Sequence, residues 1–557
     1  MDETEHRERE HFFAAAKMVA GITILSRILG MLRDIAIASL GAKRITDAFV
    51  FAFRIPNLFR RLFGEGALAG AFVPVFTETA RKDGAPGAGK LLANAMGLLA
   101  VFLAVLTVAI SGGIVAYGWG QRLWGVGLSG DDANRQLLLT MTLVMLPFMI
   151  STCLLALASS ALNCQGHFSY PAFAPCVLNI CIIAAAWWVA PHWSGDRAHL
   201  LVISASVTAA SVLQLAGVLW VMKAHGLPIV PFLRPIHPGI ATMLRLMLPT
   251  VLALGFPQLS SFFEGWVIWF FTATPERPTI ELFGRAVELP LHEGTQMHVY
   301  NASQLYQFPM GVLAISLGVA VFPLLARYAA RGQMQNLRDG LNRALRVAMM
   351  EGIAAGVGLL CLAKPITDVI YRHGKFTPKD VAEVAGILQT YVMGMWAYCT
   401  YQIFLKAFYS IKETLQPLKV VAVMAVLHMA MVVSLIWVPG LGARAFGVAT
   451  ATTISLNVIV LAYLLRKRLG RIGAAKLTVS VARSCLAAAT MAAAILLIRW
   501  AMPSGPNWRI VAVCVPAGTA VFLFVAWALR APELGELFGS LRNRPGNGGE
   551  SDAPVNL

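Results

Sequence analysis

Residues 26–76 read SRILGMLRDIAIASLGAKRITDAFVFAFRIPNLFRRLFGEGALAGAFVPVF. The stretch is mostly apolar, yet it carries Arg27, Arg33, Asp34, Asp47, Arg54, Arg60, Arg61 and Glu65. A charge in hydrocarbon is costly, so such residues face a bundle interior or a wet cavity. Helical spacing sorts them. Arg27 and Asp34 share one face, and Ser26 and Arg33 share the adjacent stripe. Asp47, Arg54 and Arg61 recur every seven residues, with Glu65 one turn on. At ~1.5 Å per residue, Asp47 to Glu65 covers roughly 27 Å, close to a bilayer core. Pro56 is expected to interrupt this second helix, and Gly64, Gly66 and Gly70 to loosen its second half. Two helices with clustered positive charge describe an anion-binding wall. The other reading places the charges at helix ends, snorkelling to the headgroups.

The rest of the chain supports a membrane setting. Of 557 residues, 57% are hydrophobic and only 13% charged, and the mean hydropathy is +0.68. That composition excludes a soluble globule. The net charge of +17 needs no nucleic acid, because membrane proteins gather Lys and Arg in cytoplasmic loops. The eight cysteines mostly lie in apolar runs without a C-x-x-C pair, which gives neither a metal site nor a disulfide framework.

Apolar runs near membrane-spanning length recur along the chain, about fourteen in all. They lie near 13–38, 46–78, 91–117, 136–160, 168–191, 198–223, 241–272, 298–328, 341–371, 381–410, 417–438, 444–466, 477–501 and 508–530. The fold class is therefore an all-α integral membrane protein. Residues 1–12 read as a cytoplasmic N-terminal tail before a retained first span. The basic run RKRLGRIGAAK at 466–476 marks an inside loop and places both termini in the cytoplasm. Residues 531–557 read as a disordered cytoplasmic tail. The polar segment 273–297 falls outside, either as a passive loop or as a small hairpin or lid.

FRIPNL…GALAGAFVPVFTETAR, from residue 53, echoes YQFPMGVLAISLGVAVFPLLARYAAR, from residue 306. The echo lies six spans apart and suggests two six-helix halves in parallel orientation, with two further helices behind them. Transporters built this way hold substrate between the halves. The corresponding division is 13–223 for the first lobe, 224–466 for the second and 467–530 for the last two spans. Polar residues in the second half are fewer. Glu264 and Lys406 lie inside spans and are read as a charge pair, or as reaching an interface. Gln304 and Gln307 open the eighth span.

The chain resembles the MurJ (MviN) family, lipid II flippases of the multidrug/oligosaccharidyl-lipid/polysaccharide (MOP) exporter superfamily. The resemblance is carried by SRILGMLRD at 26–34, TDAFVFAFRIPNLFRRLFGEGALAGAFVPVF at 46–76 and NCQGHFSYPAFAPCVLNI at 163–180. YRHGKFTPKD at 371–380 and KAFYSIKETLQPLK at 406–419 support it. It implies two six-helix lobes around a central cavity, with spans 13 and 14 forming a groove for the lipid tail. It implies a transporter of the bacterial inner membrane. The substrate would be lipid II, undecaprenyl-pyrophosphate carrying the disaccharide-pentapeptide precursor of peptidoglycan. The family's cavity arginines fall on Arg27, Arg33 and Arg60, beside Ser26, Asp34 and Asp47, and the sequence does not choose between Arg60 and Arg61. Guanidinium forks suit phosphate oxygens.

One departure stands out. Where the family commonly has an Arg and, three residues on, an acid, this chain has Gln304 and Gln307, which hydrogen-bond but carry no charge. Further expectations are alternating access without a cofactor, coupling to membrane potential or a monovalent ion, and contact with membrane lipids and cell-wall synthesis proteins. Rival readings are a flippase for another prenyl-pyrophosphate-linked glycan, a drug/cation antiporter, a membrane-embedded glycosyltransferase using Glu276, Glu281, Glu288 or Glu293, and a non-transporting membrane scaffold.

Overall fold

In lipid every backbone N–H and C=O must be satisfied within its own segment, so long apolar runs become helices. The computed structural model describes residues 3–64, 67–124, 132–228, 231–282, 284–502 and 505–536. The helices are α1 (Glu3–Ala38), α2 (Arg44–Phe59), α3 (Ala67–Trp124), α4 (Asp132–Met145), α5 (Pro147–Cys164), α6 (Ser169–Ala184), α7 (Asp196–Ala224) and α8 (Gly239–Phe271). They continue as α9 (Thr295–Ala330), α10 (Met334–Tyr371), α11 (Pro378–Val392), α12 (Met395–Ser410), α13 (Leu415–Leu435), α14 (Arg444–Leu469), α15 (Ala474–Ala501) and α16 (Asn507–Ala528). Among the described residues, each expected span falls mainly on helix. Among the described residues, ten stretches are long and apolar enough to cross a membrane.

The breaks have local causes. Pro56 lies inside α2 and does not interrupt it, contrary to expectation. A proline costs a helix one bond, and its fixed φ suits helical geometry. The break comes later, where Arg60–Gly64 widen into a π-helical turn. Glu65 and Gly66, just beyond, lie outside the described residues. The long α3 holds the end of the expected span 46–78 and all of 91–117, joined at Gly84, whose φ of 70° favours glycine. The expected span 136–160 is two helices, because Pro147 starts α5 directly after Leu146. The expected span 381–410 is likewise two, α11 and α12, parted at Gly394. There the backbone of Ala451 sits where a Cβ would go, 2.9 Å from its ideal position.

The segment between α8 and α9 forms a hairpin. Strands β1 (Thr279–Leu282) and β2 (Arg285–Glu288) pair antiparallel, from Thr279 opposite Glu288 to Leu282 opposite Arg285. Gly284 turns it with φ 75°.

The chain forms two compact units. The first holds Met1–Asn301, Ile370–Val384 and Ala425–Ala445, and the second Ala302–Val369, Ala385–Met424 and Phe446–Leu557. Lipid tails are as apolar as leucine, so helices associate through close packing and polar contacts. In the first unit Phe72, Leu91, Leu92, Leu157, Leu162 and Met222 are fully buried together. Gly97 lets α3 lie against the backbone of Phe232, and Gly217 accommodates the ring of Tyr170. In the second unit Leu341, Leu345, Ile403, Phe408, Leu461 and Leu465 form one core. A smaller core joins α15 and α16 through Met491, Ile495, Cys514 and Phe522.

Candidate functional site

Arg33 and Asp34 sit one turn before the end of α1, where it packs on α6. Arg33 donates to Asp34 Oδ1 twice, from Nε at 3.0 Å and from Nη2 at 2.8 Å. Its Nη1 donates to Asn179 Oδ1 of α6 at 3.1 Å. Tyr300, near the start of α9, donates its hydroxyl to the same Asp34 oxygen at 3.0 Å and accepts from Arg33 Nη2 at 3.4 Å. Asn179 also donates to the backbone oxygen of Ser26, at 3.2 Å. The Arg33 and Asp34 side chains are 15% and 4% exposed, so a buried cation here has its counter-charge beside it. A guanidinium has five N–H donors in a fixed fork, and three neighbours aim this one. The small cavity beside it, lined by Arg33, Tyr300, Phe49, Phe53, Ile182 and Val207, has room for about one water.

The other predicted residues separate into groups. Ser26 is half-buried, and Arg27 is exposed two turns before Arg33. Arg60 is half-buried on the π turn, with Nε donating to Asn57 Oδ1 at 2.8 Å. Arg61 is exposed, and its Nη1 lies 3.4 Å from Gln258 Oε1 of α8. Arg54 donates from Nη1 to the carbonyl of Ser261 at 2.5 Å. Arg33, Arg54, Arg60 and Arg61 thus hold polar partners inside the first unit, while Gln304 and Gln307 are half-buried members of the second.

Asp47 has a different part from the one expected. It is 1% exposed. Its Oδ2 accepts the N–H of Gly294 at 2.8 Å and its Oδ1 that of Met297 at 3.0 Å. These are orphan donors at the start of α9, so Asp47 anchors that helix N-terminus from α2. The carboxylate accepts from backbone donors, and its negative charge would repel an anion.

Glu264 and Lys406, expected as a charge pair or as reaching an interface, each have a neighbour that the sequence did not point to. Glu264 Oε1 lies 2.7 Å from His428 Nε2, and both belong to the first unit. Lys406 belongs to the second, with its ammonium 5.4 Å above the Phe322 ring. Spacing along one chain does not say which helices become neighbours.

Sequence reasoning also passed over Asn179, Tyr300, Arg44, His298 and Asp380. Arg44 stacks 3.6 Å above the Trp269 ring and is 6% exposed. His298 meets Asp380 at 2.9 Å. Asn179 had a signal, as a lone amide in the apolar run PCVLNI. No group of three or more metal-ligating side chains occurs among the described residues.

Solved structures share this fold. One described as "Lipid II flippase MurJ, inward closed conformation" matches with a TM-score of 0.72 at 21% identity, covering 94% of this chain and 99% of that one. An inward-facing MATE family transporter of the MOP superfamily matches with a TM-score of 0.63 at 12% identity, covering 82% and 98%. The class is thus a multi-pass, all-helical membrane protein. The family profile "Lipid II flippase MurJ" matches residues 37–509. The lipid II flippase MurJ of Burkholderia cenocepacia is 32% identical over 465 residues, 82% of this chain and 84% of that protein. The chain belongs to the MurJ family of lipid II flippases.

Proposed function

We infer that this protein flips lipid II from the inner to the outer leaflet of the bacterial cytoplasmic membrane. The family match across residues 37–509 carries the reading. Arg27, Arg33 and one of Arg60 and Arg61 bind the pyrophosphate, while the prenyl tail stays in lipid. Asp34 stands in for the substrate when the site is empty. It offsets the Arg33 charge, which would otherwise be buried and unpaired. An arriving pyrophosphate offers the fork a stronger bidentate partner than one carboxylate oxygen. Asp34 then remains hydrogen-bonded to Tyr300.

Transport proceeds by alternating access between lobes 13–223 and 224–466, with 467–530 holding the tail and both termini cytoplasmic. Gln304 and Gln307 hydrogen-bond the headgroup without adding charge. Drive comes from membrane potential, worth ~2.3 kcal/mol per charge per 100 mV, or from a coupled monovalent ion. Cell-wall synthesis proteins receive the product.

Complementation tests this. A bacterium depleted of its own lipid II flippase, expressing this chain, should regain lipid II in the outer leaflet, and Arg33→Ala should abolish the rescue. Rescue by an unchanged Arg33→Ala protein would remove the arginine from the mechanism. A membrane-inserted wild-type chain without rescue would overturn the substrate.

A further inference from the structure

Two helices of the first unit end side by side, and each end carries a histidine. Helix α5 closes through Gln165 and Gly166, with φ 81° at the glycine and the N–H of His167 donating to the carbonyl of Leu162 at 2.9 Å. Helix α7 closes through His225 and Gly226, with φ 71° at the glycine and the N–H of Leu227 donating to the carbonyl of Met222 at 3.0 Å. In both, a left-handed glycine turns the chain back so that a carbonyl of the last turn is satisfied. The two closures bring the rings of His167 and His225 together, with centroids 3.7 Å apart and planes tilted by 46°. His225 is exposed and His167 half-buried, so water reaches the pair.

The donors and acceptors around the rings are those of a ligand pair. His225 Nδ1 lies 2.8 Å from the carbonyl of Val221. A carbonyl only accepts, so Nδ1 carries the proton and, in the neutral ring, Nε2 holds the lone pair. Metal-ligating histidines share this arrangement, in which the second nitrogen donates to a backbone carbonyl and fixes tautomer and ring orientation. Among the described residues no hydrogen bond is made to the His167 ring. Two protonated rings this close would repel, which favours the neutral, metal-binding form. The last carbonyls of α5 and α7 make both helix ends negative, which favours a cation between them. Two amide or apolar side chains would serve packing alone as well, and neither binds a metal.

We propose that His167 and His225 form a binding site for a divalent late-transition-metal ion, such as zinc, at the ends of α5 and α7. The imidazoles supply two ligands and water the rest, since no group of three metal-ligating side chains occurs among the described residues. Imidazole suits zinc, copper and nickel, and copper binds tightest of these. With two protein ligands the ion exchanges readily, unlike one in a closed four-ligand structural site. The rings touch, so one turns slightly about its side-chain bonds to admit the ion; His167, with no hydrogen bond to its ring, is the one that turns. Bound metal ties the loop between α5 and α6 to the end of α7. Helix α6 starts just after this loop and already meets α7 through Tyr170, which donates to the Gln214 carbonyl at 3.0 Å. The same α6 carries Asn179, the acceptor that aims Arg33. The ion therefore adds a second fastening to the helix behind that arginine. On the topology proposed above, this end faces the cytoplasm.

The test titrates the full chain, purified without a polyhistidine tag and reconstituted in nanodiscs, with zinc chloride in a calorimeter. The wild type should take up one zinc ion per chain. His167→Gln and His225→Gln should each weaken that binding by more than the about 10–100-fold that loss of an outer-shell partner costs. A wild type that takes up no zinc, or variants that both bind it as tightly as the wild type, overturns the proposal. Copper(II) paramagnetic resonance of the wild type reads the same site without any substitution. Two coupled imidazole nitrogens on one copper are expected, and one or none overturns the proposal. Neither measurement uses lipid II, so a failure here leaves the transport reading standing. A chain that binds zinc at these histidines and moves no lipid II upholds the site and contradicts the transport reading alone.

Discussion

Replacing Asp34 by Asn tests whether Arg33 is a buried cation held by its neighbour. The substitution keeps the size and one acceptor oxygen but removes the charge that Arg33 contacts at 3.0 and 2.8 Å. With both side chains largely buried, losing one partner costs about 3–5 kcal/mol. Tyr300→Phe removes one hydroxyl that donates to the same oxygen and costs about 1.5 kcal/mol. The two should not add, because they share Asp34 Oδ1. The informative protein is Arg33→Gln with Asp34→Asn. With both charges gone, it should be more stable than Asp34→Asn alone, yet inactive in flipping. Unfolding can be followed with a thiol-reactive dye, since Cys153, Cys176, Cys399 and Cys514 are buried and free. If the double variant is less stable than Asp34→Asn, the ion-pair reasoning is wrong. If it is stable and flips at the wild-type rate, Arg33 does not bind substrate.

Asp47→Ala should destabilise the chain by about 2–4 kcal/mol, because two buried N–H groups at the start of α9 lose their acceptor; unchanged unfolding would remove its anchoring part. Asp196→Asn should loosen the clasp that joins Lys43 and Lys375 through one carboxylate, read as faster protease nicking after residue 375 in the folded protein. Gly374→Ala should lower the folded yield, since φ is 60° there and the backbone oxygen of Ser39 occupies the Cβ position. In the loop after α5, burial and the neighbouring His225 ring hold the His167 imidazole below its ordinary pKa. The unfolded chain then binds that proton more readily, so this contribution is intact above about pH 6.5 and lost as pH falls below it. His225→Gln should flatten that small acid-side loss in a melting series.

Much of this was legible from residue types. Helix is the only economical state for runs this apolar, and the cost of charge in lipid singled out Arg33, Asp34 and Asp47 before any packing was known. Partners were not legible. Asn179 and Tyr300 lie far from Arg33 in sequence, and periodicity gives the face of a helix but not what lies against it. Glu264 and Lys406 were read together only as opposite charges inside apolar runs; His428, a lone histidine, was overlooked. Asp47 was grouped with the arginines by heptad spacing, yet its neighbours are backbone amides, which leave no composition signal. The break after α2 was misplaced at Pro56 because proline is the visible helix breaker, whereas the π turn at Arg60–Gly64 comes from no single residue.

The most direct measurement is the transbilayer movement of lipid II in vesicles containing only this protein. Wild-type vesicles should move labelled lipid II between leaflets faster than protein-free vesicles, and Arg33→Ala vesicles should match the protein-free rate. A wild-type rate equal to that of empty vesicles, with the protein shown to be folded and inserted, would contradict the account.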